Sequence, residues 1–133
     1  IPEPGTYRLD ETARSSAFTH CRVELLESVS DASALISHEP LTTTLDAANI
    51  AFPLIVRPVQ QGDRFHPYGM KGQKLVSDFL TDLKIPLPQK RRQLVVTDAT
   101  GAILWLVALR PSHLYRITPK TTRILRITFK GGL

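Results

Sequence analysis

Gly69-Met70-Lys71-Gly72-Gln73-Lys74 is the segment of this sequence whose residue types and spacing are suited to holding a ligand. Two glycines three positions apart let a backbone take angles closed to other residues and approach another molecule closely. Lys71 and Lys74 add positive charge, and a helical pattern beginning at Gln73 promises N–H groups without partners at its start. That combination suits the grip of an anion, a phosphate above all. It is not a Walker loop, because the second glycine comes too early and no Lys-Ser/Thr pair follows it. A glycine-shaped turn with solvated lysines accounts for the same string without any ligand.

Catalytic patterns are thin elsewhere. His20, His38, His66 and His113 have no i,i+4 pairing and no HExxH setting, so the sequence assigns no metal site. Cys21 is the only cysteine, which excludes an intramolecular disulfide framework; in an alternating strand it reads as a small buried residue. Asp78 and Asp82 lie one helical turn apart beside lysines, and read as ion-pair partners rather than an acid/base pair. No G-x-S-x-G or G-x-G-x-x-G string occurs, so no catalytic residue is assigned. The G-x-x-G string also occurs in KH domains, where it clamps a nucleic-acid backbone. Those loops join two helices, however, and Pro67 disfavours helix at His66. Phe65, Tyr68 and Tyr115 are candidates to stack on bases, Phe65 and Tyr115 being better suited to a core, and Trp105 reads as packing.

The elements that must position this loop follow from periodicity. Leu75, Val76, Phe79, Leu80 and Leu83 recur at helical steps, predicting one main amphipathic helix over about 73–84, ended by Pro86 and Pro88. Strands are expected around Cys21–Leu25, at Leu54-Ile55-Val56 (an edge or strand ends, given Pro53 and Pro58), at Leu94-Val95-Val96, at Ile103–Val107 and at Arg123–Phe129. Residues 28–44 read as loop, Gln89-Lys90-Arg91-Arg92 as a basic turn, and Asp98-Ala99-Thr100-Gly101 as a hairpin turn. The fold class expected is α+β: an antiparallel, sandwich-like β body with one main helix.

The whole chain has 133 residues, the size of one domain, with 42% hydrophobic and 22% charged residues. No run approaches the roughly 20 apolar residues of a membrane span. The single methionine is Met70, so the chain is expected to be a piece of a longer protein, or a processed one. The net charge of +5 conceals a split. Residues 1–60 carry four basic and eight acidic side chains, a balance of −4; residues 61–133 carry thirteen and four, a balance of +9. Such concentration points to a polyanionic partner, nucleic acid before anionic membrane.

Gly62-Asp63-Arg64-Phe65-His66-Pro67-Tyr68-Gly69-Met70-Lys71-Gly72, then Lys74-Leu75, Ser77-Asp78-Phe79-Leu80 and Lys84-Ile85-Pro86, resembles the C-terminal domain of bacterial tRNA(Ile)-lysidine synthetase. The resemblance runs from about residue 45 to 127, through Lys90-Arg91-Arg92, Ile103–Arg110, Tyr115-Arg116-Ile117-Thr118 and Thr121–Ile127. It departs at Ala108, where a glycine is expected, and in a basic turn that lacks an acidic residue. It implies a parent ligase, in the cytoplasm, that uses ATP and Mg to attach lysine to the wobble cytidine of an isoleucine tRNA. The family's ATP-binding string, S-G-G-x-D-S, does not occur here. The resemblance therefore implies a single non-catalytic tRNA-binding domain over 1–133, with a β-sandwich-like fold of unusual topology. RNA contacts are expected from Arg64, Lys71, Lys74, Lys90, Arg91, Arg92, Arg110 and Arg116, with Gly69 and Gly72 shaping the loop. Two alternatives remain at this point: a dimerisation module using Leu104–Val107 or Ile124–Phe129 as an edge, and a free-standing nucleic-acid-binding protein.

Overall fold

The computed structural model describes residues 7–9, 15–18, 21–27, 30, 39 and 41–129. Their strands are β1 (Tyr7–Leu9), β2 (Ser15–Phe18), β3 (Cys21–Leu26), β4 (Thr42–Asp46), β5 (Leu54–Pro58), β6 (Arg64–Phe65), β7 (Lys74–Leu75), β8 (Leu94–Thr97), β9 (Ile103–Leu106), β10 (Arg110–Pro111) and β11 (Ile124–Phe129). Two helices, α1 (Val76–Asp82) and α2 (Leu87–Arg92), follow the β6–β7 hairpin, and a 3₁₀ turn spans His113–Tyr115. The strands form a five-stranded sheet in the order β1-β5-β8-β9-β10 and a four-stranded sheet in the order β2-β3-β11-β4, with every pairing antiparallel.

The class expected from the sequence, an antiparallel sandwich-like body with one main helix, is the one observed. Val23, Leu45, Leu125, Ile127 and Phe129 of the four-stranded sheet pack against Leu54, Val56, Leu94, Val96, Leu104 and Trp105 of the five-stranded one. The other face of the five-stranded sheet, through Val95, Ile103 and Leu106, is covered by Phe65, Val76, Phe79 and Leu80. That sheet is thus buried on both sides, which is why β8 and β9 read as unbroken apolar runs instead of alternating. A bulge completes the fit. Val96 pairs with Trp105 and Thr97 with Ile103, leaving Leu104 as the extra residue, so Leu104 and Trp105 both join the sandwich core.

Several local expectations are corrected. The main helix begins at Val76, not 73, because Lys74 and Leu75 pair with Phe65 and Arg64 as strand β7. The basic turn at 89–92 is the last part of α2, with Pro88 at the second position of that helix, where a missing N–H costs nothing. Thr42–Asp46 is a strand where loop was expected; residues 28–29, 31–38 and 40 of that stretch, with His20 and His38, lie outside the described residues. β5 is a central strand between β1 and β8, so Pro53 and Pro58 mark its ends and not an edge. β9 and β11 are likewise paired on both sides, so neither stretch nominated for dimerisation is a free edge.

α1 ends in a left-handed cap. The Lys84 N–H donates to Thr81 O at 2.9 Å, the Ile85 N–H donates to Leu80 O at 3.1 Å, and Ile85 packs with Leu80 in the outer core. Lys84 stands at φ 59, where a β-carbon costs about 1–2 kcal/mol, and its side chain is exposed. Lys84→Gly is therefore expected to stabilise the domain by about 0.5–1 kcal/mol after the extra chain entropy of glycine is deducted. A rise in the urea midpoint with an unchanged m-value checks this; a fall would contradict the capping argument.

Candidate nucleic-acid interface

The glycine segment is the tip of the β6–β7 hairpin. Arg64 pairs with Leu75 and Phe65 with Lys74, so residues 66–73 form the connecting loop. Gly69 and Gly72 have φ of 80 and 79, and a β-carbon at either would meet open space. Both angles lie in the left-handed region that favours glycine. The loop does not run straight into a helix, however, since β7 intervenes; the helix-terminus part of the expectation is withdrawn. Nor does it join two helices, as a KH loop does.

Asp63 fixes the base of this hairpin, a role the sequence reading missed. Its carboxylate accepts two hydrogen bonds from the Arg57 guanidinium, at 2.9 and 3.0 Å, and one from the Gln60 N–H at 2.7 Å. Its carbonyl accepts the N–H of Val76, the first residue of α1. Inside the hairpin, Phe65 meets Phe79 edge-on at 5.3 Å, and the Arg110 guanidinium lies 5.2 Å from the Phe79 ring centre.

The eight candidate cations divide into two groups. The side chains of Arg64, Lys71, Arg91 and Arg92 are exposed and, among the described residues, make no hydrogen bond or ion pair. The other four have work within the fold. Lys74 is ion-paired to Asp82, Lys90 donates to Thr81 Oγ1 at 2.8 Å, Arg110 is half-buried over Phe79, and Arg116 donates to His113 O at 2.9 Å. All eight sit on the hairpin, its helices, or the edge segment β10 and its 3₁₀ turn, so they share the layer on the outer face of the five-stranded sheet or its border. On the four-stranded sheet Arg126 pairs with Glu24 at 3.0 Å, and at the ends of β11 and β3 Arg123 pairs with Glu27 at 3.5 Å.

Beside α2 lies an open groove of about 470 Å³ lined by Ile85, Arg92, Gln93, Leu94, Val107 and Leu109. The Gln93 amide spans it by donating to Leu94 O and Val107 O, both at 2.9 Å. Asp98 is buried but structural, accepting hydrogen bonds from the N–H groups of Thr100 and Ala102 and from the Thr100 hydroxyl. Tyr115 is half-buried and packs against the sandwich core; burial raises its phenol above the usual 10, with the Asp98 carboxylate adding to the effect. No group of His, Cys, Asp and Glu among the described residues is arranged to hold a metal ion, and no described helix is long and apolar enough to cross a membrane.

The chain has relatives among known proteins. A family model described as the TilS substrate C-terminal domain matches residues 54–127. The chain belongs to that family. Within it, the chain is 38% identical over 87 residues to the tRNA(Ile)-lysidine synthase of Parabacteroides distasonis, covering 65% of this chain and 20% of that protein. It is 41% identical over 63 residues to the enzyme of that name from Bacillus subtilis, covering 47% of this chain and 13% of that protein. The chain therefore spans about a fifth or less of the length of these curated relatives. A solved TilS C-terminal domain superposes with a TM-score of 0.70 at 22% identity, over 97% of this chain and 99% of that one. An N-terminal fragment of the Pyrococcus horikoshii phenylalanyl-tRNA synthetase β-subunit shares the fold over 69% of this chain and 28% of that one, with a TM-score of 0.59 and 17% identity. The glycine expected by family resemblance at position 108 has a structural counterpart: Ala108 stands at φ 67, in the turn closed by the Leu109 N–H on Leu106 O.

Proposed function

We propose that this chain is the tRNA-binding domain of a ligase that attaches lysine to the wobble cytidine of an isoleucine tRNA. The observation that carries the reading is the set of unpaired exposed cations, Arg64, Lys71, Arg91 and Arg92, on the layer that holds the glycine hairpin. Family membership supplies the substrate class: the relatives named above are tRNA(Ile)-lysidine synthases. Binding is by phosphate contact, with the glycine loop letting the RNA backbone approach closely. The family's S-G-G-x-D-S string does not occur in these 133 residues. Lysine and ATP engage the rest of the parent enzyme, in the cytoplasm.

A salt series with isoleucine tRNA tests this. Four phosphate contacts predict that log affinity falls with log salt with a slope of about −3. A flat response, or no binding at low salt, would sink the proposal.

A further inference from the structure

The three aromatic side chains considered for stacking separate in the structure. Phe65 is 2% exposed beneath Phe79, and Tyr115 packs on the sandwich core. Tyr68 is 49% exposed, and Met70 and Leu114 beside it in the hairpin loop and the 3₁₀ turn are 37% and 58% exposed. Large exposed apolar side chains on a soft loop have no directional use, but this loop is framed. The Tyr68 N–H donates to Pro111 O at 3.0 Å, the His113 N–H to His66 O at 2.6 Å, and the Gly69 N–H to His113 Nδ1 at 3.3 Å. The His113 ring in turn supports Tyr68, with ring centres 5.8 Å apart. An apolar patch presented on a fixed frame marks a contact surface.

Charge identifies the partner. Residues 64–77 and 110–116, the hairpin and the segment that frames it, contain no Asp or Glu. Lys71 stands in the same loop, and Arg116 is anchored to the carbonyl of His113 itself. A flat ring with a cation in its own loop and another on the turn that frames it matches a nucleotide whose base is free to stack and whose phosphates need neutralising. Bases inside a duplex cannot use such a ring, because both of their faces are already covered.

We propose that Tyr68, supported by His113 and bordered by Leu114, is a stacking platform for an unpaired RNA base, with Lys71 and Arg116 holding the adjacent phosphates. The inference rests on the RNA-binding reading above and adds which part of the RNA this end of the hairpin engages. The test uses the 133-residue chain and two RNA hairpins with the same stem, one blunt and one with a four-nucleotide single-stranded tail containing 2-aminopurine. The tailed hairpin is expected to bind at least about 5-fold more tightly at equal salt, with 2-aminopurine fluorescence quenched on binding. Tyr68→Ala should equalise the two affinities without weakening the blunt hairpin, while Tyr68→Phe should keep the preference. Should the alanine variant fail to fold, the quenching in the unmodified chain and the phenylalanine variant still decide. Equal binding of both hairpins without quenching overturns the platform and leaves the RNA-binding reading standing. No binding of either hairpin overturns both. Self-association without RNA, abolished by Tyr68→Ala and accompanied by no tail preference, overturns the platform in favour of a protein contact.

Discussion

Replacing Trp105 by alanine is expected to cost about 3–5 kcal/mol of folding stability, a large share of the roughly 5–15 kcal/mol a domain of this size possesses. The bulge at Leu104 turns two consecutive side chains of β9 into the same core, and Trp105 is the larger of them. It is 2% exposed, pairs with Val96 on β8, and meets the Phe129 ring edge-on at 5.7 Å across the space between the sheets. Removing it leaves a void between two hydrogen-bonded sheets that cannot close without shifting register, so little relaxation offsets the loss. Because Trp105 is the only tryptophan, the measurement is urea unfolding followed by far-ultraviolet circular dichroism rather than by fluorescence. Trp105→Phe should cost much less, since it keeps a ring against Phe129. A loss below about 1.5 kcal/mol for the alanine variant would show that the sheets are not tightly packed at this point.

The same residue shows what the sequence could and could not reveal. An apolar run at Ile103–Leu106 announces burial, but not that the sheet is covered on both faces, since that depends on a helix packed from elsewhere in the chain. The bulge is invisible for a related reason: it exists only in the pairing with β8. The helix start failed on the same principle. Leu75 fits the helical period of Val76, Phe79 and Leu80, yet its backbone pairs with Arg64, and periodicity within a window carries no information about a partner outside it. Proline chemistry was legible but read one way only; α1 ends at its own left-handed cap at Lys84, and Pro88 belongs to the first turn of α2. Local signals did survive where local physics decides, as at the turn ending in Gly101, which has φ 91. In the site, residue type identified the basic residues, but their availability depends on tertiary neighbours. Lys74 faces Asp82 only because a strand and a helix turn back on each other.

That distinction between basic and available sets the second large effect. The fourfold variant Arg64→Glu, Lys71→Glu, Arg91→Glu, Arg92→Glu is expected to lower affinity for isoleucine tRNA on the order of 100-fold or more near 0.1 M salt. Each exposed ion pair is worth roughly 0.2–1 kcal/mol, so four give about 1–4 kcal/mol, and reversal adds repulsion to the loss. The salt slope should become much shallower, because the counterions once released by these four contacts no longer matter, and what remains is the contact assigned to Arg116. Stability should fall by about 1–2 kcal/mol at most, since none of the four side chains makes a hydrogen bond or ion pair among the described residues and the cost is that of placing glutamates for Arg91 and Arg92 in the last turn of α2. Lys74→Ala is the informative contrast. Its ammonium is held by Asp82, so its removal frees a carboxylate on the same layer while deleting a cation that was already spent. Its effect on binding should therefore be several-fold at most, although the sequence alone ranks it with Lys71. Fluorescence anisotropy with labelled tRNA, run beside thermal unfolding of each variant, separates the two groups. If Lys74→Ala weakens binding more than the fourfold reversal, then the RNA does not follow the unpaired cations, and the interface lies along the paired face of α1.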